Sequence, residues 1–128
     1  MVHITEVKTT KFSIIAGINK GYFHKNSVDI SIEDMSAILM TVADNLYKST
    51  GIYVSAVVTH SRTLYSIDYG CPPEGEDTFS ITGTANPKYV TDIKKWKEVV
   101  ISYAESIKSI LEQEVISLEF CEVNYLTL

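Results

Sequence analysis

Arginine and cysteine are both scarce in this sequence, and each scarcity excludes a class of function. Arg62 is the only arginine, and the net charge is −5. Non-specific binding to DNA or RNA depends on many lysine and arginine contacts to phosphate, so we expect no nucleic-acid partner. Cys71 and Cys121 lie far apart and form no CxxC pair. They predict neither a disulfide framework nor a zinc motif, and we interpret both as free thiols.

Targeting signals and catalytic motifs are missing as well. Residues 1–6 lack the basic and apolar regions of a signal peptide, and no apolar run approaches the length that spans a bilayer. The histidines His3, His24 and His60 are scattered, and there is no Gly-x-Ser-x-Gly sequence. The sequence therefore predicts a cytoplasmic protein with no metal, no cofactor and no catalytic residue, so that binding is favoured over catalysis.

The composition is that of an ordinary globular protein. The chain has 128 residues, of which 45% are hydrophobic and 21% charged. This length suits one domain with one hydrophobic core and leaves no room for a second. We therefore expect residues 1–128 to form a single domain.

Two segments carry the spacing of amphipathic helices. Ser31 and Asp34 resemble a capping box, and Gly51 marks the end of the first helix. The second helix begins at Asp92, with apolar residues on one face and lysines and glutamates on the other. The apolar positions that indicate the two helices are Ile32, Met35, Ile38, Leu39, Val42 and Leu46, and then Ile93, Trp96, Val99, Val100, Tyr103, Ile107, Ile110 and Leu111.

The remaining chain is typical of strands and turns. Gly70–Glu76 contains two prolines and two glycines and is expected to form the long tip of a hairpin. In Val115–Leu128 the apolar alternation changes phase, which a bulge near Cys121 would explain, or a strand that leaves its sheet. The apolar end Tyr125–Leu128 indicates a subunit contact. The expected strands are Phe12–Ile18, Tyr22–His24 after a turn at Asn19–Gly21, Ile52–Ser61 with Thr63–Tyr69 continuing it or pairing with it, Thr78–Thr84, and the segment from Val115.

This order, ββ-α-ββ-α-β, predicts an α+β fold in which two amphipathic helices pack on one face of an antiparallel sheet. It is similar to the order of the small tautomerases, which use an amino-terminal proline as a base. The residue after Met1 is Val2, so that resemblance extends to architecture only. A small isomerase with His60 or Glu76 as its base is one alternative function, and a structural, protein-binding subunit is another.

The segment from Tyr65 to Lys88 is the chemically richest part of the chain. Aromatic rings stack on bases, an amide can read a base edge, and positive charges near the start of a helix attract phosphate. The candidate ligand-binding residues are Asn86, Phe79, Arg62, Tyr69, Tyr65 and Lys88. Composition alone favours the alternative that the aromatics are core residues and the lysines are solvated. Likewise, the acidic cluster Glu74, Glu76 and Asp77 is better explained as a solvated loop tip than as a cation site.

Several short patterns resemble the phage anti-Thoeris proteins over about Gly51 to Val123. They are Thr50–Val54, Gly70-Cys71-Pro72, Gly75-Glu76, Gly83 with Asn86-Pro87, Trp96, and Leu118–Phe120. The resemblance implies a non-enzymatic sponge that sequesters a cyclic ADP-ribose-type signal, and in some members cyclic oligonucleotides, against antiphage defence. It also implies a homo-oligomer, a hexamer, in the cytoplasm of the host cell. Only Asn86 has motif support for ligand binding, and a single arginine departs from the arginine-rich pockets of that family.

Overall fold

The sheet and both helices of the expected fold are present in the computed structural model, which describes residues 4–18 and 30–128. Among these residues, an antiparallel sheet has the order β2-β3-β1-β4. The elements in chain order are β1 (Thr5–Gly17), α1 (Ile32–Thr50), β2 (Val57–Thr63), a 3₁₀ helix (Ile67–Tyr69), β3 (Glu76–Thr84), α2 (Ile93–Ile110) and β4 (Ser117–Thr127). The α+β prediction is confirmed. The expected strand Tyr22–His24 and turn Asn19–Gly21 lie outside the described residues.

Both helices begin where the sequence predicts, and the first also ends there. The Ser31 hydroxyl accepts a hydrogen bond from the Asp34 amide at 3.0 Å, and the Asp34 carboxylate accepts one from the Ser31 amide at 3.3 Å. Gly51 ends α1 with a φ of 78°, a left-handed conformation that glycine adopts without a Cβ clash. Asp92 caps α2 by accepting from the Lys95 amide at 3.1 Å. These contacts satisfy backbone groups that a helix end leaves unpaired.

Alternation along the strands divides the sheet into a helix-covered face and a face that no described element covers. Directly paired residues project to the same face, so the pairs Ile14–Ile81 and Ala16–Phe79 meet the helices, whereas Gly17–Thr78 lies on the uncovered face. The buried apolar residues, apart from Cys71, form one core cluster between sheet and helices. The large, fully buried side chains at its centre are Tyr103, Phe12, Phe79, Ile14, Met35, Ile81, Ile107 and Val100.

The chain before β2 differs from the prediction of a buried strand over Ile52–Ser61. The strand begins only at Val57 and occupies an edge of the sheet, where most of its residues are exposed or half-buried. The segment that precedes it passes close over Gly83: a Cβ there would lie 2.3 Å from the backbone oxygen of Ser55. This close passage explains the buried Val54 without a strand. The expected continuation Thr63–Tyr69 is also wrong beyond Thr63, because the chain turns into the 3₁₀ helix.

The phase change in the last strand has a simpler cause than a bulge. The pairing of β1 with β4 runs without interruption from Thr5 opposite Thr127 to Ile15 opposite Ser117. The strand therefore stays in register and stays in its sheet. Leu118 and Phe120 pack against the core cluster, and Val123, opposite Thr9, lies on the other face. The prediction of a bulge near Cys121 was wrong because the apolar residues change face while the backbone does not.

A bilayer-spanning helix is not found in the part of the chain that the structure describes, since neither helix is long and apolar enough. The described residues share one sheet and one core cluster. A single domain over residues 1–128 stays a prediction.

Candidate active site

A pocket of about 250 Å³ lies at one end of the sheet. It forms where β1 and β2 end, where β3 begins, and where the loop after α2 returns to β4. Most of its strand residues belong to the uncovered face, so the pocket is open to solvent on that side. Its walls are formed by Ile15, Gly17, Thr63, Tyr65, Glu76, Thr78, Gln113, Glu114, Val115 and Ser117.

Glu76 supplies a partly buried carboxylate to this pocket. It is the first residue of β3 and lies opposite Thr63 of β2. Desolvation by the surrounding protein raises the pKa of the Glu76 carboxyl above its ordinary value. Among the described residues it forms no ion pair with a lysine or arginine. Its charge is therefore available to a cationic ligand.

Three hydroxyls fix the floor of the pocket beside Glu76. Thr78 is only 1% exposed, and its Oγ1 lies 2.9 Å from Ser61 Oγ and 3.0 Å from Thr63 Oγ1. These bonds tie β2 to β3 through side chains as well as through the backbone ladder. The position of Thr63, next to the carboxylate, is thereby determined by a buried neighbour rather than by solvent.

Gly17 provides space for the side-chain ends of Glu76 and Gln113. A Cβ at this position would lie 2.7 Å from Gln113 Oε1 and 3.2 Å from Glu76 Oε1. Gln113 is in turn oriented by donating from Nε2 to the backbone oxygen of Leu111 at 3.1 Å. The absence of a side chain on Gly17 thus leaves room for the ends of both side chains over the strand.

The charge of the pocket favours a cation over a phosphate. Among the described residues, its wall contains two carboxylates, Glu76 and Glu114, and no lysine or arginine. The half-buried ring of Tyr65 adds an aromatic surface, to which cations are also attracted. A ligand with one or two positive charges and a few hydrogen-bonding groups therefore suits this site better than an anionic nucleotide.

Of the six candidate ligand-binding residues predicted from sequence, only Tyr65 lines this pocket. Phe79 is 1% exposed and lies in the core, against His60. Arg62 is directed to the other side of the hairpin, where it donates to the backbone oxygen of Glu74 at 3.1 Å and lies 3.6 Å from Asp77. Tyr69 is 72% exposed in the 3₁₀ helix.

Asn86 and Lys88 lie beyond the opposite end of β3. The strand separates them from Glu76 by about 30 Å, given the rise of an extended chain. Asn86 Oδ1 accepts a hydrogen bond from the Lys88 amide at 3.0 Å, and Lys88 Nζ lies 5.6 Å from the centre of the Tyr89 ring. The structure therefore does not bring the six residues into one site. Their role in ligand binding stays a prediction.

The pocket residues that were not predicted as ligand-binding are mainly Gly17, Thr78, Gln113 and Glu76, of which Glu76 was named only as the base of an alternative isomerase. The acidic cluster was interpreted as a loop tip, and the region that the structure describes contains no group of acidic, histidine or cysteine side chains able to hold a metal. One signal was available in the sequence: Ser61 and Thr63, and likewise Glu76 and Thr78, are polar residues two positions apart on the two arms of a predicted hairpin. Alternation of that kind places all four side chains on one face.

Comparison with known proteins identifies relatives of a different kind from the expected sponge. The family model described as SAM lyase matches residues 7–128. A phage SAM lyase in complex with S-methyl-5'-thioadenosine has a similar structure, with a TM-score of 0.62, 16% identity, and coverage of 93% of this chain and 88% of that one. A phage SAM lyase in the apo state gives a TM-score of 0.65 at 16% identity, with coverage of 94% and 89%. Among curated proteins, none matches the sequence.

These matches overturn the functional expectation drawn from the anti-Thoeris resemblance. That resemblance holds only at the coarser level of likeness to a phage protein. A non-enzymatic sponge for cyclic ADP-ribose, and with it the expectation that the protein is not an enzyme, is wrong because the matched family is one of lyases. The cyclic nucleotide partner is contradicted too, and the hexamer rested on the same resemblance. Neither an isomerase nor a purely structural subunit fits a lyase family.

Proposed function

This chain belongs to the SAM lyase family, and we propose that it degrades S-adenosylmethionine in the pocket around Glu76. The observation that carries the proposal is the chemistry of that pocket, whose described residues supply two carboxylates, an aromatic ring and hydroxyls, and no basic group. S-adenosylmethionine has a sulfonium and an ammonium group, so it presents the charges that such a wall attracts.

A lyase that releases methylthioadenosine from S-adenosylmethionine breaks the bond between sulfur and Cγ of the methionine portion. The bonding electrons go to sulfur, which becomes neutral. Without water as nucleophile, the substrate's own carboxylate oxygen can attack Cγ and close a five-membered lactone. The carboxylate loses its charge as the sulfonium does, and no proton is gained or lost. An intramolecular attack of this kind depends chiefly on holding the two ends of the substrate in one geometry.

Glu76 is best suited to holding the substrate ammonium group. The ammonium keeps its charge throughout the reaction, so a carboxylate bound to it stabilises the substrate and the transition state alike. A carboxylate placed on the sulfonium would instead favour the substrate, because that charge disappears as the bond breaks. We therefore assign Glu76 to substrate orientation.

The other walls combine apolar surface with a hydroxyl group. Ile15 and the half-buried Tyr65 provide apolar surface, and Thr63 presents a hydroxyl next to Glu76. A volume of about 250 Å³ is small for a whole nucleoside. We infer that the pocket holds the aminobutyrate and sulfonium portions, with the adenosine outside it. We further propose that residues 1–128 act as one domain in the cytoplasm.

The test is to incubate the purified protein with S-adenosylmethionine in ¹⁸O-labelled water and to separate the products by liquid chromatography with mass spectrometry. Methylthioadenosine and homoserine lactone in equal amounts are expected. Later hydrolysis of the lactone introduces label at the carboxyl group and leaves the γ-oxygen unlabelled. Label at the γ-oxygen would instead indicate direct hydrolysis, and 2-amino-3-butenoate would mean that a base removes a proton from Cβ. No methylthioadenosine at all would contradict the proposed activity.

A further inference from the structure

A second cavity, of about 400 Å³, lies on the helix-covered side of the sheet, away from the Glu76 pocket. It is formed between α1 and the segment that crosses Gly83 before β2. Of the described residues that line it, none carries a charge. Its wall is mostly apolar, and its rim contains Met40, which is 60% exposed, and the exposed Tyr53.

The floor of this cavity contains a buried hydroxyl without a partner. Tyr103 of α2 is 1% exposed and reaches the cavity from the core side, with its ring against Phe12 at a centroid distance of 6.1 Å. Its hydroxyl forms no hydrogen bond with any residue of the ranges 4–18 and 30–128. Burial raises the pKa of Tyr103, and so does the charge of ionised Tyr53, a residue of the same cavity. The Tyr103 hydroxyl therefore stays protonated, close to Tyr53.

Core packing alone does not account for this hydroxyl. A phenylalanine would fill the same space between α2 and the sheet without leaving a polar group unpaired. Buried tyrosine hydroxyls usually have a partner. Here the unpaired group lies at the wall of a cavity large enough for a small molecule, and cavities of this size with apolar walls and a few polar groups are typical ligand sites.

We propose that this cavity binds a small, neutral, largely apolar molecule that accepts a hydrogen bond from the Tyr103 hydroxyl. The uncharged wall disfavours an ionic ligand, since a charge buried there would have no counter-ion. The unpaired Tyr103 hydroxyl favours a ligand that has a hydrogen-bond acceptor, such as a carbonyl oxygen, at its deeply placed end. The site is independent of the proposed lyase reaction, because Tyr103 does not line the Glu76 pocket.

The experiment compares two probes of the same size and shape, acetophenone and isopropylbenzene, by following amide signals in NMR titrations. Acetophenone is expected to shift signals of residues 36–43 and 53–58. The variant Tyr103→Phe, which lacks only the hydroxyl, should bind acetophenone about fivefold more weakly, because one neutral hydrogen bond is lost. Isopropylbenzene should bind the wild type and this variant equally.

A second variant, Ser36→Leu, tests the location, since a larger side chain at this half-buried, cavity-lining position of α1 narrows the cavity. It should also weaken acetophenone binding, and it does so even if Tyr103→Phe does not fold. Equal acetophenone affinity for the wild type and Tyr103→Phe, signal changes elsewhere, or an ordered water as the sole occupant would overturn the proposal. Both variants should release methylthioadenosine at the wild-type rate. A wild-type protein that releases no methylthioadenosine would contradict the lyase proposal without affecting the test of this cavity.

Discussion

The two ends of β3 contain similar kinds of side chain and use them in different ways. At the Glu76 end, hydroxyls, an amide and a carboxylate from four chain segments converge on an open space. At the Asn86 end, the amide binds the next turn of its own backbone, and the lysine rests on an adjacent ring. The comparison teaches that residue types suited to binding become a site only where they face a common space.

The largest effect is expected from Glu76→Gln, which keeps the shape of the side chain and removes its charge. Loss of a partly buried ion pair with the substrate should lower kcat/KM for release of methylthioadenosine by about 100-fold. Glu74→Gln is the matched control, since Glu74 is exposed two residues earlier and lies outside the pocket wall. Its kcat/KM should stay within about twofold of wild type. Wild-type kinetics for Glu76→Gln would remove the functional difference between the two ends.

The pH dependence should follow the same carboxylate. Because the pKa of Glu76 is raised, kcat/KM is expected to fall about tenfold per pH unit below an inflection that lies above the ordinary glutamate pKa of 4.5. The contribution of Glu76 to folding stability depends on pH in the opposite direction to kcat/KM. A pKa raised on folding favours the folded state at low pH, and that contribution is lost as pH rises through the raised pKa. The two effects are measured by steady-state kinetics and thermal unfolding of the wild type and Glu76→Gln across a range of pH. If the inflection in kcat/KM is unchanged in the variant, it belongs to another group.

A smaller loss of activity is expected from Gly17→Ala. The new Cβ would lie 2.7 Å from Gln113 Oε1, so the flexible ends of Gln113 and Glu76 must move. Displacement of an orienting group by a fraction of an ångström should lower kcat/KM about tenfold, with little change in melting temperature. Ser13→Ala, on the same face of β1 and outside the pocket wall, is the control and should behave as wild type. An equal effect of both substitutions would mean that the strand, rather than the pocket, is sensitive.

The smallest effect on catalysis is expected at the other end of β3. Asn86→Ala removes the acceptor for the Lys88 amide and should lower the free energy of unfolding by about 1 kcal/mol, with kcat/KM unchanged. Asn86→Asp keeps the acceptor and should restore most of that stability. Chemical denaturation and steady-state kinetics on the two variants provide the measurements. A large fall in kcat/KM for both would show that the Asn86 end contributes to the site after all.

The helices could be predicted because their capping residues act on close neighbours in the sequence. The course of the strands depends instead on contacts between residues far apart in the sequence. The capping residues Ser31 and Asp92 act on neighbours three residues away, so their effect is visible in the sequence. The start of the strand predicted over Ile52–Ser61 was wrong because the residues before Val57 pass over Gly83, which is distant in sequence. The same limit applies to β4, where pairing with β1 keeps the register although the apolar residues change face.

For the site, residue type was a weaker guide than position in the sheet. Tyr65 was selected as an aromatic surface and does line the pocket. Glu76 was named as the base of an alternative isomerase, but its acidic cluster was set aside as a ligand site because three acidic residues in a loop resemble a solvated tip. What distinguishes it from Glu74 is that it begins β3 opposite Thr63, and that pairing depends on the register of the hairpin. Gly17 and Gln113 join the site only through the fold, since neither is near Glu76 in sequence.

The two hydrogen bonds between Thr78 and its neighbouring hydroxyls can be formed with more than one arrangement of donors. Thr78 has one proton and two hydroxyl neighbours, so at least one neighbour must donate to it. If Thr63 donates, it turns only lone pairs towards the pocket. If Ser61 donates and Thr78 donates onward, Thr63 has its own proton to offer. A coordinated rotation of three hydroxyls therefore converts Thr63 from acceptor to donor without breaking the network. In the proposed reaction, the same wall could then contact the charged substrate and the neutral thioether product.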